Sequence, residues 1–88
     1  MGILIVDDSA DDRLLVQSIL SSAGYDHLLV ADSAAAAFSL LGLDDGKHSA
    51  SRIDLILMDI VMPEMNGIEA CRQIKAVERF RDTPIMMV

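Results

Sequence analysis

The chain predicts an α/β domain built on a parallel β-sheet, and three observations carry that expectation. Residues 3–6 (Ile-Leu-Ile-Val), 55–58 (Leu-Ile-Leu-Met) and 85–88 (Ile-Met-Met-Val) are wholly apolar runs, the pattern of strands covered on both faces. The segments between them space their apolar residues as helices do. The resulting order, β-α-β-α-β-α-β, makes successive βαβ units, which form a parallel sheet with right-handed crossovers.

Each element has its own local justification. After the first strand come Asp7 and Asp8, then Ser9 with Asp12 three residues on, a capping-box-like start with Asp in place of Glu. Leu15, Val16, Ile19, Leu20 and Ala23 form a stripe expected to face the sheet. Gly24 is placed to end that helix in the left-handed region. Residues 27–31 read as a short strand. Asp32 or Ser33 caps a helix over residues 34–41, with Ala37, Phe38 and Leu41 on one face and Gly42 closing it. Residues 42–52 are polar and without period, a solvated connection. Asn66 and Glu69 open a third helix in the same capping-box-like manner, with Ala70, Cys71, Ile74 and Val77 as its apolar stripe. Residues 78–83 are polar, and Pro84 opens the last apolar run.

Composition narrows the class further. Eighty-eight residues make one small domain. The chain is 52% hydrophobic with one Tyr, two Phe and no Trp, so the core is aliphatic, with the six Met as fillers. Fourteen acids against seven bases give a net charge of −7. That argues against direct binding of nucleic acid, which needs clustered Lys and Arg, and against an anionic membrane surface. No apolar stretch approaches a membrane span, and no signal peptide precedes the first strand. Cys71 is the single cysteine; it cannot form an internal disulfide, is expected in the core, and makes a reducing cytoplasm the simplest setting.

The chemistry-bearing residues are acids at strand ends. Ligands of open α/β sheets bind beyond the carboxyl ends of the strands, where Asp7, Asp8 and Asp59 stand. Each is either a reactive or metal-binding carboxylate or an ordinary cap. If the first and third strands are neighbours, the three converge. Repulsion then raises their pKa values, or a cation binds. Oxygen-only ligands with room for water suit Mg²⁺, which also neutralises phosphoryl oxygens. A dinucleotide site would need a glycine-rich turn where Asp7-Asp8-Ser9-Ala10-Asp11-Asp12 stands. A P-loop motif is absent. A phosphatase of the haloacid-dehalogenase type carries a second acid two residues after its nucleophile; here that position is Val61. Asp59 could form an acyl phosphate, with no evident base to turn it over. Asp11 and Asp12 read as helix-start charges. His27 and His48 share no motif with the acids.

Two stretches together, Ile3-Leu4-Ile5-Val6-Asp7-Asp8-Ser9 and Asp54-Leu55-Ile56-Leu57-Met58-Asp59-Ile60-Val61-Met62-Pro63-Glu64-Met65-Asn66-Gly67, resemble the receiver domain of two-component response regulators, and the resemblance spans essentially the whole chain. It implies a flavodoxin-like (CheY-like), doubly wound parallel sheet of order 2-1-3-4-5. It also implies that Asp59 is the phosphoacceptor. Mg²⁺ would be held by Asp8, by Asp7 directly or through water, by Asp59, and by the backbone carbonyl of Val61, with Met62, Pro63 and Gly67 at the site rim. The implied partner is a sensor histidine kinase or a phosphotransfer protein.

The family's Thr or Ser after the fourth strand, its Lys after the fifth, strand 5, and helices 4 and 5 have no counterpart in these residues. Residues 1–88 are therefore expected to be the N-terminal part of such a domain, with any output domain beyond residue 88. The expected activity is self-phosphorylation and self-dephosphorylation only, not enzymatic turnover of outside substrates. Two rivals remain: an interaction module that homodimerises through an uncovered last strand without phosphorylation, and a Mg²⁺-dependent aspartyl-phosphate phosphatase.

Overall fold

The computed structural model describes residues 2–42, 53–62 and 65–88. Its elements are β1 (Gly2–Val6), α1 (Ala10–Ser22), β2 (His27–Ala31), α2 (Ala34–Leu41), β3 (Leu55–Met58), α3 (Gly67–Lys75), a 3₁₀ turn (Glu78–Phe80) and β4 (Ile85–Met87). All three strand pairings are parallel, and the sheet order is β2-β1-β3-β4. From β1 the chain steps out to β2 at one edge, then returns to β3 on the other side of β1. The winding direction therefore reverses between β1 and β3, the place where open sheets of this kind form a crevice. Among the described residues no helix is long and apolar enough to cross a membrane.

The caps follow from short polar side chains next to helix starts. Ser9 Oγ accepts from the Asp12 N–H at 3.3 Å, Ser33 Oγ from Ala36 at 3.1 Å, and Asn66 Oδ1 from Glu69 at 2.9 Å. Each satisfies one of the backbone donors a helix start leaves open. Ser33, rather than Asp32, caps α2. The reciprocal half of the capping box is diverted at two of these starts. The Ser9 N–H donates to Asp7 Oδ1 at 2.9 Å, and Glu69 pairs with Arg72 at 2.8 Å. Gly42 closes α2 at φ 74°, a left-handed conformation that an L side chain resists.

The strand period of two divides the apolar runs between two faces. Leu4, Val6, Ile56 and Met58 point to the face covered by α2 and α3. With Ala31, Ala34, Ala37, Leu41, Ile53, Met62, Ala70, Ile74 and Phe80 they form the buried core, against which Ile85 and Met87 pack. Leu4, Ile56, Met58 and Ile74 lose all solvent contact, which contributes roughly 1.5–3 kcal/mol each. Ile3 and Ile5 point to the opposite face, beneath α1, and are also buried. In register with them lie Leu55 and Leu57 on β3, half-buried, and Met86 on β4, 58% exposed. Cover on this face thus declines from β1 to β4.

Three expectations need correction. The stripe of α1 does not lie wholly on the sheet: Val16 and Leu20 are half-buried, Leu15 and Ile19 are 59% and 58% exposed, and Ala23 is exposed. The helix lies over β1 and β2, so only one flank of its stripe meets strand side chains. Second, residues 78–83 are not uniformly polar surface: the 3₁₀ turn tucks Phe80 into the core. Third, Val77 precedes that turn instead of extending α3. Cys71 is half-buried and carries a free thiol, and it is not part of the core cluster. His48 and the loop at 43–52 lie outside the described residues.

Two tethers fix the strand ends. At the amino end of the sheet the Gly2 N–H donates to Asp54 Oδ2 at 2.9 Å, and the Asp54 N–H donates to the Gly2 carbonyl at 2.7 Å. At the approach to β4, Lys75 Nζ donates to the carbonyl of Arg81 at 3.0 Å and to that of Thr83. Replacing Lys75 with Met keeps the aliphatic stem and removes both bonds. The expected cost is about 1 kcal/mol. Hydrogen exchange should quicken at the amides of Ile56 and Val88, which bond Pro84 and Met58 across the β3–β4 ladder.

Candidate functional site

Parallel pairing of β1 with β3 sets Val6 beside Met58, so the residues that follow them leave the sheet at the same level. The Asp59 N–H donates to the Val6 carbonyl at 2.9 Å and the Asp7 N–H to the Ala31 carbonyl at 3.1 Å. Both acids therefore continue the ladder while their side chains reach past its end. Asp8 stands one residue further on. One carboxylate oxygen from each of Asp7, Asp8 and Asp59 lies within 4.8 Å of the other two. Asp8 is exposed, and Asp7 and Asp59 are half-buried.

Local turns aim these side chains. Asp7 Oδ1 accepts from the Ser9 N–H at 2.9 Å, and Asp59 Oδ1 accepts from the Val61 N–H at 3.3 Å. In each case a carboxylate bonds the backbone two residues on, an Asx turn. The Asp59 carboxyl is raised above its ordinary value. Partial burial is the first cause; the Val61 N–H works the other way; the charges of Asp7 and Asp8 and a hydrogen bond with Asp8 raise it further.

The donor set is all carboxylate oxygen. Hard oxygen donors suit a hard divalent cation and not a soft one. Such an ion relieves the repulsion that gathers at Asp59, so the residues present fit one. His27 is exposed at the amino end of β2, beside Asp26 at 3.8 Å, at the far end of the sheet from the acids.

Val61 was expected as a carbonyl ligand, and Met62, Pro63 and Gly67 as the rim. Val61 has an exposed side chain (78%) next to Asp59. Met62 is not a rim residue: it is 7% exposed and belongs to the core between sheet and helices. An apolar side chain just past a strand end turns inward unless something holds it out. Gly67 is buried as well, and its role is a close approach. Its N–H donates to the Ile60 carbonyl at 2.7 Å. A Cβ there would overlap the Asp59 carbonyl oxygen and stand 2.8 Å from Met87 Cε. Pro63 lies outside the described residues. One residue of the site escaped sequence reasoning: Arg13 Nη1 donates to the Asp7 carbonyl at 2.7 Å. The available signal was that Arg13 is the first base in the chain, one helical turn beyond the Ser9 cap.

An open parallel α/β sheet with an acid cluster at its switch point is common to several classes of protein, and comparison identifies which this is. The family model described as the response regulator receiver domain matches residues 3–88. The two-component response regulator ORR1 of Oryza sativa subsp. japonica is 43% identical over 90 residues, covering 98% of this chain and 38% of that protein. The solved structure of the Vibrio cholerae chemotaxis protein CheY4 superposes with a TM-score of 0.84 at 30% identity, covering 98% of this chain and 65% of that one. The Mn²⁺-bound response regulator Rcp1 gives 0.82 at 31% identity, covering 98% and 63%. This chain belongs to the receiver domain family of two-component response regulators. Members of that family are signalling proteins, and they interact with histidine kinases or phosphotransfer proteins.

Gly67→Ala should cost about 1–3 kcal/mol and displace the Asp59 backbone, which shifts of the Asp59 and Ile60 amide resonances would record. Asp59→Asn should raise the melting temperature of the metal-free protein at neutral pH. A carboxyl raised on folding is a penalty while it is charged, present above the folded pKa and gone below the unfolded one. The gain should therefore vanish as pH falls through the ordinary carboxylate range, near about 4, which melting curves across that range would check.

Proposed function

We propose that this receiver domain takes a phosphoryl group on Asp59 and so relays a two-component signal. The observation that carries the reading is the convergence of Asp59 with Asp7 and Asp8 at the carboxyl ends of two adjacent strands. A lone exposed aspartate is a weak nucleophile toward a phosphoryl group that is itself anionic. Here Oδ1 of Asp59 accepts from the Val61 N–H, which restrains the carboxylate's rotation, and the other oxygen would be the attacking atom. That oxygen forms an O–P bond as the N–P bond of a donor phosphohistidine breaks, and the imidazole departs with the bonding pair. The chain contributes an oriented carboxylate and two flanking acids, and the donor contributes the leaving group.

Asp8, Asp7 and Asp59, with the backbone carbonyl of Val61, would hold Mg²⁺. A bound Mg²⁺ supplies neutralisation of charge on the phosphoryl oxygens. Rcp1, which carries a divalent cation in its solved structure, supports that assignment. Residues 1–88 would then be a part of one receiver domain, whose readout passes to an output domain or partner protein, and the donor would be a sensor histidine kinase or phosphotransfer protein.

Incubation of the protein with Mg²⁺ and acetyl phosphate, followed by intact-mass measurement, tests this. One phosphoryl group should be gained, and both chelation of the metal and Asp59→Asn should abolish the gain. Equal phosphorylation of the Asn variant would move the acceptor elsewhere, and no gain in the parent would remove the reading altogether.

A further inference from the structure

We propose that Arg13 is a positioning residue for the divalent-cation site, acting through the peptide of Asp7. The inference deepens the reading that the acid cluster holds Mg²⁺, and rests on it. Asp7 is held at three polar atoms. Its N–H donates to the Ala31 carbonyl at 3.1 Å, its Oδ1 accepts from the Ser9 N–H at 2.9 Å, and its carbonyl accepts from Arg13 Nη1 at 2.7 Å. The first two partners are backbone groups that the fold supplies whatever the side chains are. The third is a side chain delivered from the first turn of α1, where the Arg13 N–H closes the helix onto the Ser9 carbonyl at 3.0 Å. Arg13 thus ties the β1–α1 turn to the helix. The carboxylates of Asp7 and Asp8 flank the peptide whose oxygen it holds.

The Arg13 guanidinium is a charged group, yet the atom it bonds is the carbonyl of the peptide that joins Asp7 to Asp8. That choice separates two roles with opposite signs. As a bare positive charge, Arg13 repels a cation, and its removal tightens Mg²⁺ binding. As the anchor of the turn, it fixes the direction of two ligands, and its removal weakens binding. Groups that orient metal ligands from outside the coordination sphere are worth about 10–100-fold in affinity. Asp8 is exposed and Asp7 and Asp59 are half-buried, so water and salt would screen the repulsion between a guanidinium and a cation held there. Positioning therefore wins: Arg13→Met is expected to weaken Mg²⁺ binding about tenfold. Arg13→Lys, which keeps the charge and can reach the same carbonyl, restores most of the loss.

The test is calorimetric titration of Mg²⁺ into the full chain for the parent, Arg13→Met, Arg13→Lys and, as a binding-dead control, Asp8→Ala. Melting in chelator is recorded alongside. Weaker binding in the Met variant with recovery in the Lys variant supports the proposal. Parent-like or tighter binding in the Met variant overturns it, as does a lowered melting temperature with unchanged Mg²⁺ affinity, the mark of a merely structural contact. Should Arg13→Met not fold, Arg13→Ala, which likewise removes both donor and charge, is read by the same criteria. If the parent binds no Mg²⁺, the metal reading itself falls and this inference with it. If the parent binds and the Met variant matches it, only the role of Arg13 is lost.

Discussion

The parallel pairing of β1 with β3 is the constraint on which the site depends. Neither strand carries the chemistry. Each ends on the same level, and the first residue after each is an aspartate held by one more rung of the ladder, Asp7 on Ala31 and Asp59 on Val6. Three carboxylates would not gather in solution, because their repulsion is unopposed. Here the aliphatic core beneath them holds the strands together and the acids are carried along. Partial burial first, and then the charges of Asp7 and Asp8, raise the Asp59 carboxyl, and a hard cation would relieve the repulsive part.

Close packing supports this from behind. Gly67 lets α3 begin against the backbone of Asp59, nearer than any side chain would allow, while Met62 turns into the core. Residues 59–62 are thus anchored on their inner side, with Val61 turned to solvent. Arg13 does for the β1–α1 turn what Gly67 does for the β3–α3 segment: each fixes the main chain next to an acid without entering the acid cluster.

Much of this was legible in the sequence because local and global signals agree. The all-apolar runs are strands, Ser9, Ser33 and Asn66 cap the helices, Gly42 is left-handed, and the sheet has the order that the family resemblance implies. The features that escaped are those set by what lies opposite a residue. A stripe such as Leu15 and Ile19 records that a helix has an apolar side, not how much of that side a neighbour covers. Phe80 sits in a polar stretch, and one buried ring leaves no period to detect. Met62 belongs to a motif read for its chemistry, yet its side chain answers to the core. Arg13 bonds a backbone carbonyl, an acceptor every residue possesses, so no pairing of residue types marks it.

The reciprocal bonds between Gly2 and Asp54 act far from the chemistry, at the opposite end of the same two strands. They nevertheless bear on it. Sliding β3 along β1 by one residue would carry Asp59 about 3.3 Å along the strand axis and turn its side chain to the other face. A pair of hydrogen bonds that is satisfied at one alignment alone penalises that slide. The base of the sheet is thus the gauge from which the height of the acids is measured, and Asp54, the first acid of the motif that ends in Gly67, serves geometry where Asp59 serves reactivity.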